Sequence, residues 1–147
     1  MNYRHAYHAG NFADVMKHTV LTLLIDYLKR KDKPFRVIDT HAGIGLYDLS
    51  SDEAQRTGEW LGGIGALREA KLSEREASIV SHLFSAVESV NAEGELRFYP
   101  GSPLVTRHLL RKQDRLTAIE LHPEDTATLR ARFEGDFQTR VIELDGW

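Results

Sequence analysis

Val37-Ile38-Asp39-Thr40-His41-Ala42-Gly43-Ile44-Gly45-Leu46-Tyr47 is the stretch on which the fold turns. Two β-branched residues follow a basic segment punctuated by Pro34, end on an acid and give way to small residues. That pattern predicts a buried strand running into a tight loop. Open α/β sheets bind their ligands at such junctions. Gly43 and Gly45 let the backbone take positive φ and let a ligand approach closely, while Asp39 at the strand's carboxyl end can accept hydrogen bonds from an amine or hydroxyl. Alone, the run fits a plain structural turn as well as a nucleotide site, because it lacks the third glycine of the dinucleotide fingerprint.

Working outward from it, Leu116-Thr117-Ala118-Ile119-Glu120-Leu121 reads as a second strand ending near an acid, and residues 140–144 as a third, followed by Asp145-Gly146-Trp147. Helical patterns lie between them. In a right-handed parallel βαβ arrangement, Asp39, Glu120 and Asp145 then line up along one carboxyl edge of the sheet. The chemistry suits a nucleoside, because a carboxylate after the second strand can bind both ribose hydroxyls and one after the third can meet an adenine amine. The expected class is α/β.

Before the first strand, Tyr3-Arg4-His5-Ala6-Tyr7-His8-Ala9-Gly10 is an aromatic, histidine and arginine cluster with the look of a site segment. Asn11 is a plausible N-cap for a helix over residues 12–31, with Asp14 in its first turn and Phe12, Val15, Met16, Leu23, Leu24, Tyr27 and Leu28 at helical spacing. Lys17 and His18 lie near its start, where a cation is slightly disfavoured and a carboxylate partner for Lys17 is correspondingly more credible.

After the glycine turn, residues 50–98 look like a helical insertion and not a crossover of ordinary length. Trp60, Leu61, Ile64 and Leu67 make a stripe interrupted by glycines. Ser73 and Glu76 form a capping box ahead of a second helix, and Asn91 with Gly94 stops it. Pro100-Gly101-Ser102-Pro103 then reads as an N-cap serine with proline at the first helical position.

Composition bounds the function. The chain of 147 residues is 41% hydrophobic and 28% charged, enough for one domain with a real core. No apolar run approaches the roughly 20 residues needed to cross a bilayer, and no signal-peptide core follows Met1, so a cytoplasmic location is expected. The absence of cysteine removes disulfides, thiolate nucleophiles and cysteine-ligated metals. The seven histidines show no His-Glu-x-x-His or comparable spacing, so no metal is expected. With a net charge of −3, affinity for nucleic acid must come from a local patch.

These residues resemble a known family. Tyr3-Arg4-His5, His8-Ala9-Gly10-Asn11, Ala13-Asp14-Val15, Lys17-His18-Thr19, Asp39-Thr40-His41-Ala42-Gly43, Arg56-Thr57-Gly58-Glu59, Tyr99-Pro100-Gly101-Ser102-Pro103 and Glu120-Leu121-His122-Pro123 look like the bacterial 23S ribosomal RNA adenine-N6 methyltransferases of the large-subunit methyltransferase J family. The resemblance runs in order along essentially the whole chain. It implies a Rossmann-like, class I S-adenosylmethionine-dependent sheet with a helical insertion after the first strand. It also implies a cytoplasmic, monomeric enzyme whose partner is 23S ribosomal RNA. Cofactor contacts are implied for Lys17 and His18, for Asp39, His41 and Gly43 around the turn, for Ser102, for Glu120 on the ribose, and for Asp145 with Gly146 at the adenine. Tyr3, Arg4 and His5 are implied on the substrate side, with Tyr3 and His5 beside the target base.

One departure stands out. Adenine-N6 methyltransferases carry an Asp-Pro-Pro-Tyr-type motif after the fourth strand, and none of the four prolines here forms such a pair. The catalytic acid is therefore expected beyond Trp147, in a longer enzyme of which these residues are the first three strands of a single domain. Bland readings stand beside these. His41 can simply bond backbone, Lys29 to Lys33 can be a solvated helix end, and Trp60 fits insertion core better than a base-stacking platform. From another class, a catalytically silent RNA- or nucleotide-binding module remains the alternative. A nicotinamide-dependent oxidoreductase is disfavoured by the missing glycine and the long insertion. Basic residues of the first helix, with Arg107, Arg111 or Arg115, are expected to hold phosphates.

Overall fold

The computed structural model describes residues 4–92 and 94–147, so Tyr3 lies outside the described residues. Parallel pairing organises the centre of the molecule. Strand β1 (Arg36–Asp39) pairs with the later strand Arg115–Glu120, in the register Arg36 with Arg115 and Asp39 with Ala118. That strand in turn pairs with Thr139–Glu143, Glu120 lying opposite Glu143. Between β1 and this pair the chain forms a separate antiparallel ribbon from β2 (Leu46–Asp48) and β3 (Phe98–Pro100). The two remaining strands are thus β4 (Arg115–Glu120) and β5 (Thr139–Glu143), and the sheet order is β1-β4-β5.

The helices follow from their ends. Asn11 caps α1 (Phe12–Leu28) by accepting from the Asp14 amide, and Ser51 caps α2 (Asp52–Thr57) in the same way. The short α3 (Ile64–Glu69) precedes α4 (Glu74–Ser89), where Ser73 and Glu76 form the reciprocal capping box. Asn91 then ties the end of α4 to β3, donating to the carbonyls of Val87 and Phe98 and accepting from the amides of Arg97 and Phe98. Next come α5 (Ser102–Leu109) and α6 (Pro123–Arg132), each with proline in its first turn. Their residues Leu104, Leu129 and the adjoining Leu110 and Phe133 pack on Leu116 and Ala118 of β4. A second core joins Leu49, Ile64, Leu83, Val87, Tyr99 and Val105, with Trp60 packed against it, as its reading as core material predicts.

The first helix corrects its sequence reading. Helical spacing places Phe12, Met16, Leu23, Leu24 and Tyr27 toward a core, yet Phe12 is 69% exposed and Tyr27 64%. The buried stripe is instead Asp14, His18, Thr22 and Ile25, three of them polar, where α1 packs against α4 and α5. A helix apolar on nearly all sides suits a place between two layers, and the described residues supply one of them. Strand β1 shows the same one-sidedness. Its sequence pattern predicts a buried strand, but Ile38 is 60% exposed and β1 has a neighbour on one side only among the described residues. The helix also ends at Leu28, three residues short of the expected 31. Among the described residues, no helix is long and apolar enough to cross a membrane.

Two local features fix the insertion against the amino-terminal segment. The Ile64 amide donates to the Gly10 carbonyl at 2.9 Å. At Gly63 a Cβ would lie 2.0 Å from that same carbonyl oxygen, so only glycine permits the approach. Glu59 meanwhile meets the His8 ring and the Asn11 side-chain amide, and the Thr57 hydroxyl donates to the Tyr7 carbonyl. The Arg56-Thr57-Gly58-Glu59 run is therefore a clamp on the segment that precedes α1.

Candidate functional site

At the carboxyl edge of the sheet, the glycine turn after β1 closes over the end of β4. Gly43 has φ +63° and its amide donates to Glu120 Oε2 at 2.8 Å, while Oε1 accepts from the His122 amide at 2.9 Å. Each carboxylate oxygen of Glu120 thus takes one backbone N–H and keeps acceptor capacity for a second partner. Asp39 behaves differently. The Ser102 hydroxyl donates to Asp39 Oδ2 at 2.5 Å and the His41 amide to Oδ1 at 3.3 Å. Burial raises the Asp39 carboxyl above its ordinary range, with these two donors and His41 pulling it back.

Ser102 corrects another expectation. The N-cap of α5 is Gly101, and Ser102 occupies the first helical position without a side-chain capping bond. A residue inside the first turn has helical φ/ψ, so its hydroxyl cannot reach back to cap that turn and turns instead to Asp39.

A cleft of about 520 Å3 opens beside this junction. Its lining brings together Arg4, His5, Lys17, His18, His41, Gly43, Ser102 and Glu120, eight of the residues singled out from the sequence. Asp39 is not among the lining groups and acts behind Ser102. Asp145 and Gly146 do not line the cleft either. They lie in the irregular segment after β5, where a Cβ on Gly146 would lie 2.1 Å from the Thr40 carbonyl oxygen, and where Trp147 meets the His41 ring edge-on at 5.2 Å. The His41 ring also bonds the Thr40 hydroxyl at 2.9 Å.

Arg107, Arg111 and Arg115, expected on RNA phosphates, do not line the cleft and have partners within the chain. Arg107 pairs with Asp136 at 2.6 Å. Arg111 pairs with Asp114 and donates to the carbonyls of Lys31 and Lys33, closing the end of α1, and Arg115 donates to the carbonyls of Lys112 and Asp114.

Five ionisable groups in the wall are not among the site residues expected from the sequence: Asp14, Tyr47, Glu53, His122 and Asp125. Asp14 is the most connected. Its Oδ2 accepts from the Gly10 amide at 3.1 Å and meets His5 Nε2 at 2.7 Å, and its Oδ1 meets Lys17 Nζ at 3.1 Å. This is the carboxylate partner that the position of Lys17 called for. Burial alone would raise the Asp14 carboxyl, but the hydrogen bond and charge of His5, with His18 and Lys17, hold it down at about 2. The signal was present in the sequence as polar residues at 14, 18 and 22, one face of an otherwise apolar helix.

His18 lies next to Asp14 on that stripe. Its Nδ1 is hydrogen-bonded to the Tyr99 hydroxyl at 2.8 Å and the two rings stack at 5.6 Å. Burial pushes the imidazole down to about 4 against the attraction of Asp14, so the ring is neutral at pH 7. Burial also raises the phenols of Tyr99 and Tyr47, which stay protonated. The cleft wall thus carries four acidic side chains, Asp14, Glu53, Glu120 and Asp125, and, besides its histidines, two basic ones, Arg4 and Lys17.

Residues 32–147 match the model of the family described as ribosomal RNA large subunit methyltransferase D, RlmJ. The chain belongs to this family. Over its whole length it is 50% identical to the ribosomal RNA large subunit methyltransferase J of Escherichia coli (strain K12), of which it covers 51%. Over 96% of its length it is 47% identical to the protein of the same name from Haemophilus influenzae, covering 50% of it. Among solved structures, protein LPL1258 from Legionella pneumophila superposes with a TM-score of 0.79 at 36% identity, over 94% of this chain and 49% of that one. The chain thus spans about half the length of these relatives. The parallel sheet with helices is consistent with the Rossmann-like methyltransferase class expected for an RlmJ-family chain.

Proposed function

We propose that residues 1–147 form the cofactor-binding half of an enzyme that methylates an adenine N6 of 23S ribosomal RNA with S-adenosylmethionine. The observation that carries this reading is the chemistry of the cleft. A wall of four acidic side chains against two basic ones besides its histidines, with His18 neutral, favours a cationic ligand such as a sulfonium and disfavours the pyrophosphate of a dinucleotide. The donor set fits an adenosine as well. Glu120 stands at a strand end with acceptor capacity on both oxygens, and the Gly43 turn has no Cβ to block approach. The relatives' names supply the reaction class and the substrate.

In this reading Glu120 holds the ribose hydroxyls, Asp145 and Gly146 border the cofactor's adenine beside His41, and Lys17, His18 and Ser102 complete the cleft around the amino-acid end. Asp39 keeps Ser102 in place. When bound, the cofactor supplies an electrophilic methyl group on sulfur. Arg4 and His5 border the entry of the target base, and the base contact implied for Tyr3 by the resemblance fits this side, because a base has to leave its stack to reach a methyl donor and an aromatic can receive it. The intact enzyme works as a monomer.

A carboxylate bonding two hydroxyls makes charge-assisted hydrogen bonds. Glu120→Ala is expected to weaken S-adenosylhomocysteine binding by about 2 kcal/mol, roughly thirtyfold. Titration calorimetry checks this, and unchanged affinity would remove Glu120 from the site.

A further inference from the structure

We propose that Asp14 is a positioning residue, which fixes His5 and Lys17 on the wall of the cleft in a single arrangement. The inference rests on the methyltransferase reading for its consequence and on geometry for its substance. Asp14 is 1% exposed and is held from every side. Its amide donates to the Asn11 cap, the Gly10 amide donates to Oδ2, His5 Nε2 meets the same oxygen, and Lys17 Nζ meets Oδ1. His5 reaches it from the short 3-10 turn His5–Tyr7, nine residues earlier, whereas Lys17 stands one turn further along α1. One carboxylate therefore couples two elements that both line the cleft.

The protonation states sharpen this. With its carboxyl held at about 2, Asp14 is ionised at neutral pH and can only accept hydrogen bonds. The proton of the His5–Asp14 bond must then sit on His5 Nε2, so Asp14 selects one tautomer of that ring. The ring is also fixed in orientation by its edge-on contact with Tyr47 at 5.1 Å. A carboxylate that sets both tautomer and direction of an imidazole is the arrangement by which buried acids orient functional histidines elsewhere. A capping or dipole role would require neither contact. Any acid in the first turn answers the helix dipole without reaching a residue of another element.

The first test needs no variant. Nitrogen-15 NMR of the histidine rings in residues 1–147 should show His5 in the Nε2-protonated tautomer when neutral, and the other tautomer or an averaged pair would overturn the proposal. In Asp14→Asn, whose amide can donate or accept, this preference should be lost while the His108 signals stay in place. The consequence is read in the protein expressed from its complete reading frame, on unmodified large-subunit RNA. Asp14→Asn should lower kcat about tenfold or more, with KM for S-adenosylmethionine changed less than about threefold. In a His5→Ala, Lys17→Ala background the same substitution should add nothing. Independent losses in both backgrounds would make Asp14 structural. If the wild type neither binds S-adenosylhomocysteine nor transfers a methyl group, the methyltransferase reading fails, and the tautomer measurement still decides the role of Asp14.

Discussion

Lowering the pH from about 6.5 to about 4 is expected to cost the fold roughly 3 kcal/mol through His18 alone. The ring sits at about 4 in the folded chain and at 6.5 when unperturbed. Its stabilising effect is complete above 6.5, where both states are neutral. Below that, the unfolded chain takes up a proton that the folded chain refuses, and stability falls by about 1.4 kcal/mol per pH unit until the folded ring titrates near 4. Asp14 works in the other window. Its depressed carboxyl contributes above the ordinary aspartate range and loses that contribution only as pH falls toward about 2. His108 is also lowered by burial and by the charges of Lys29 and His82, and adds a slope of its own. Urea unfolding followed by circular dichroism across this range should therefore show a slope in the wild type that is about one proton smaller in His18→Gln, where a neutral amide can still meet Tyr99. Identical slopes would mean that His18 is not held neutral.

Purified residues 1–147, offered unmodified large-subunit RNA and S-adenosylmethionine, are expected not to turn over repeatedly. Adenine-N6 transfer needs a weakly nucleophilic exocyclic nitrogen held in line with the methyl group, and such positioning accounts for several kcal/mol of barrier lowering, up to roughly 7 to 11 in the best intramolecular models. The acids available here are poorly suited to that task. Asp39 is bonded to Ser102 and the His41 amide, and Glu120 to the amides of Gly43 and His122. Glu53 and Asp125 stand on α2 and α6 without the adjoining proline pair and aromatic that would seat a base. Radiolabelled methyl incorporation, compared with the protein from the complete reading frame, is the check. Repeated turnover at a similar rate would show that these residues carry the whole catalytic apparatus.

Much of this arrangement was readable from local chemistry. The strand ending at Asp39, the acid at Glu120, the glycine turn between them and the capping box at Ser73 each depend on neighbours within a few positions, and each stands where its pattern puts it. What depended on distant partners was not readable. Nothing near Leu46 announces a strand, because β2 exists by pairing with β3 some fifty residues later. Ser102 followed by proline reads as a cap, and only the approach of β1 shows that its hydroxyl belongs to Asp39. The face of α1 was assigned by apolarity, whereas packing against α4 and α5 buries Asp14 and His18 and leaves Phe12 and Tyr27 outside. For the same reason Asp14 reads from the sequence as a dipole acid. Its partners at His5 and Gly10 come from a turn whose position is set by the insertion clamp at Glu59 and Gly63.

The claim tested most directly is that the carboxylate-lined cleft binds an adenosyl sulfonium compound and not a dinucleotide. Residues 1–147 should be titrated with S-adenosylhomocysteine, S-adenosylmethionine and NAD by calorimetry, with amide chemical shifts followed in parallel. The two adenosyl compounds should bind saturably and one-to-one, with the largest shifts at Gly43 and His122, and NAD should not bind. Preferential binding of NAD, or shifts by S-adenosylhomocysteine confined to residues outside the cleft, would contradict that claim.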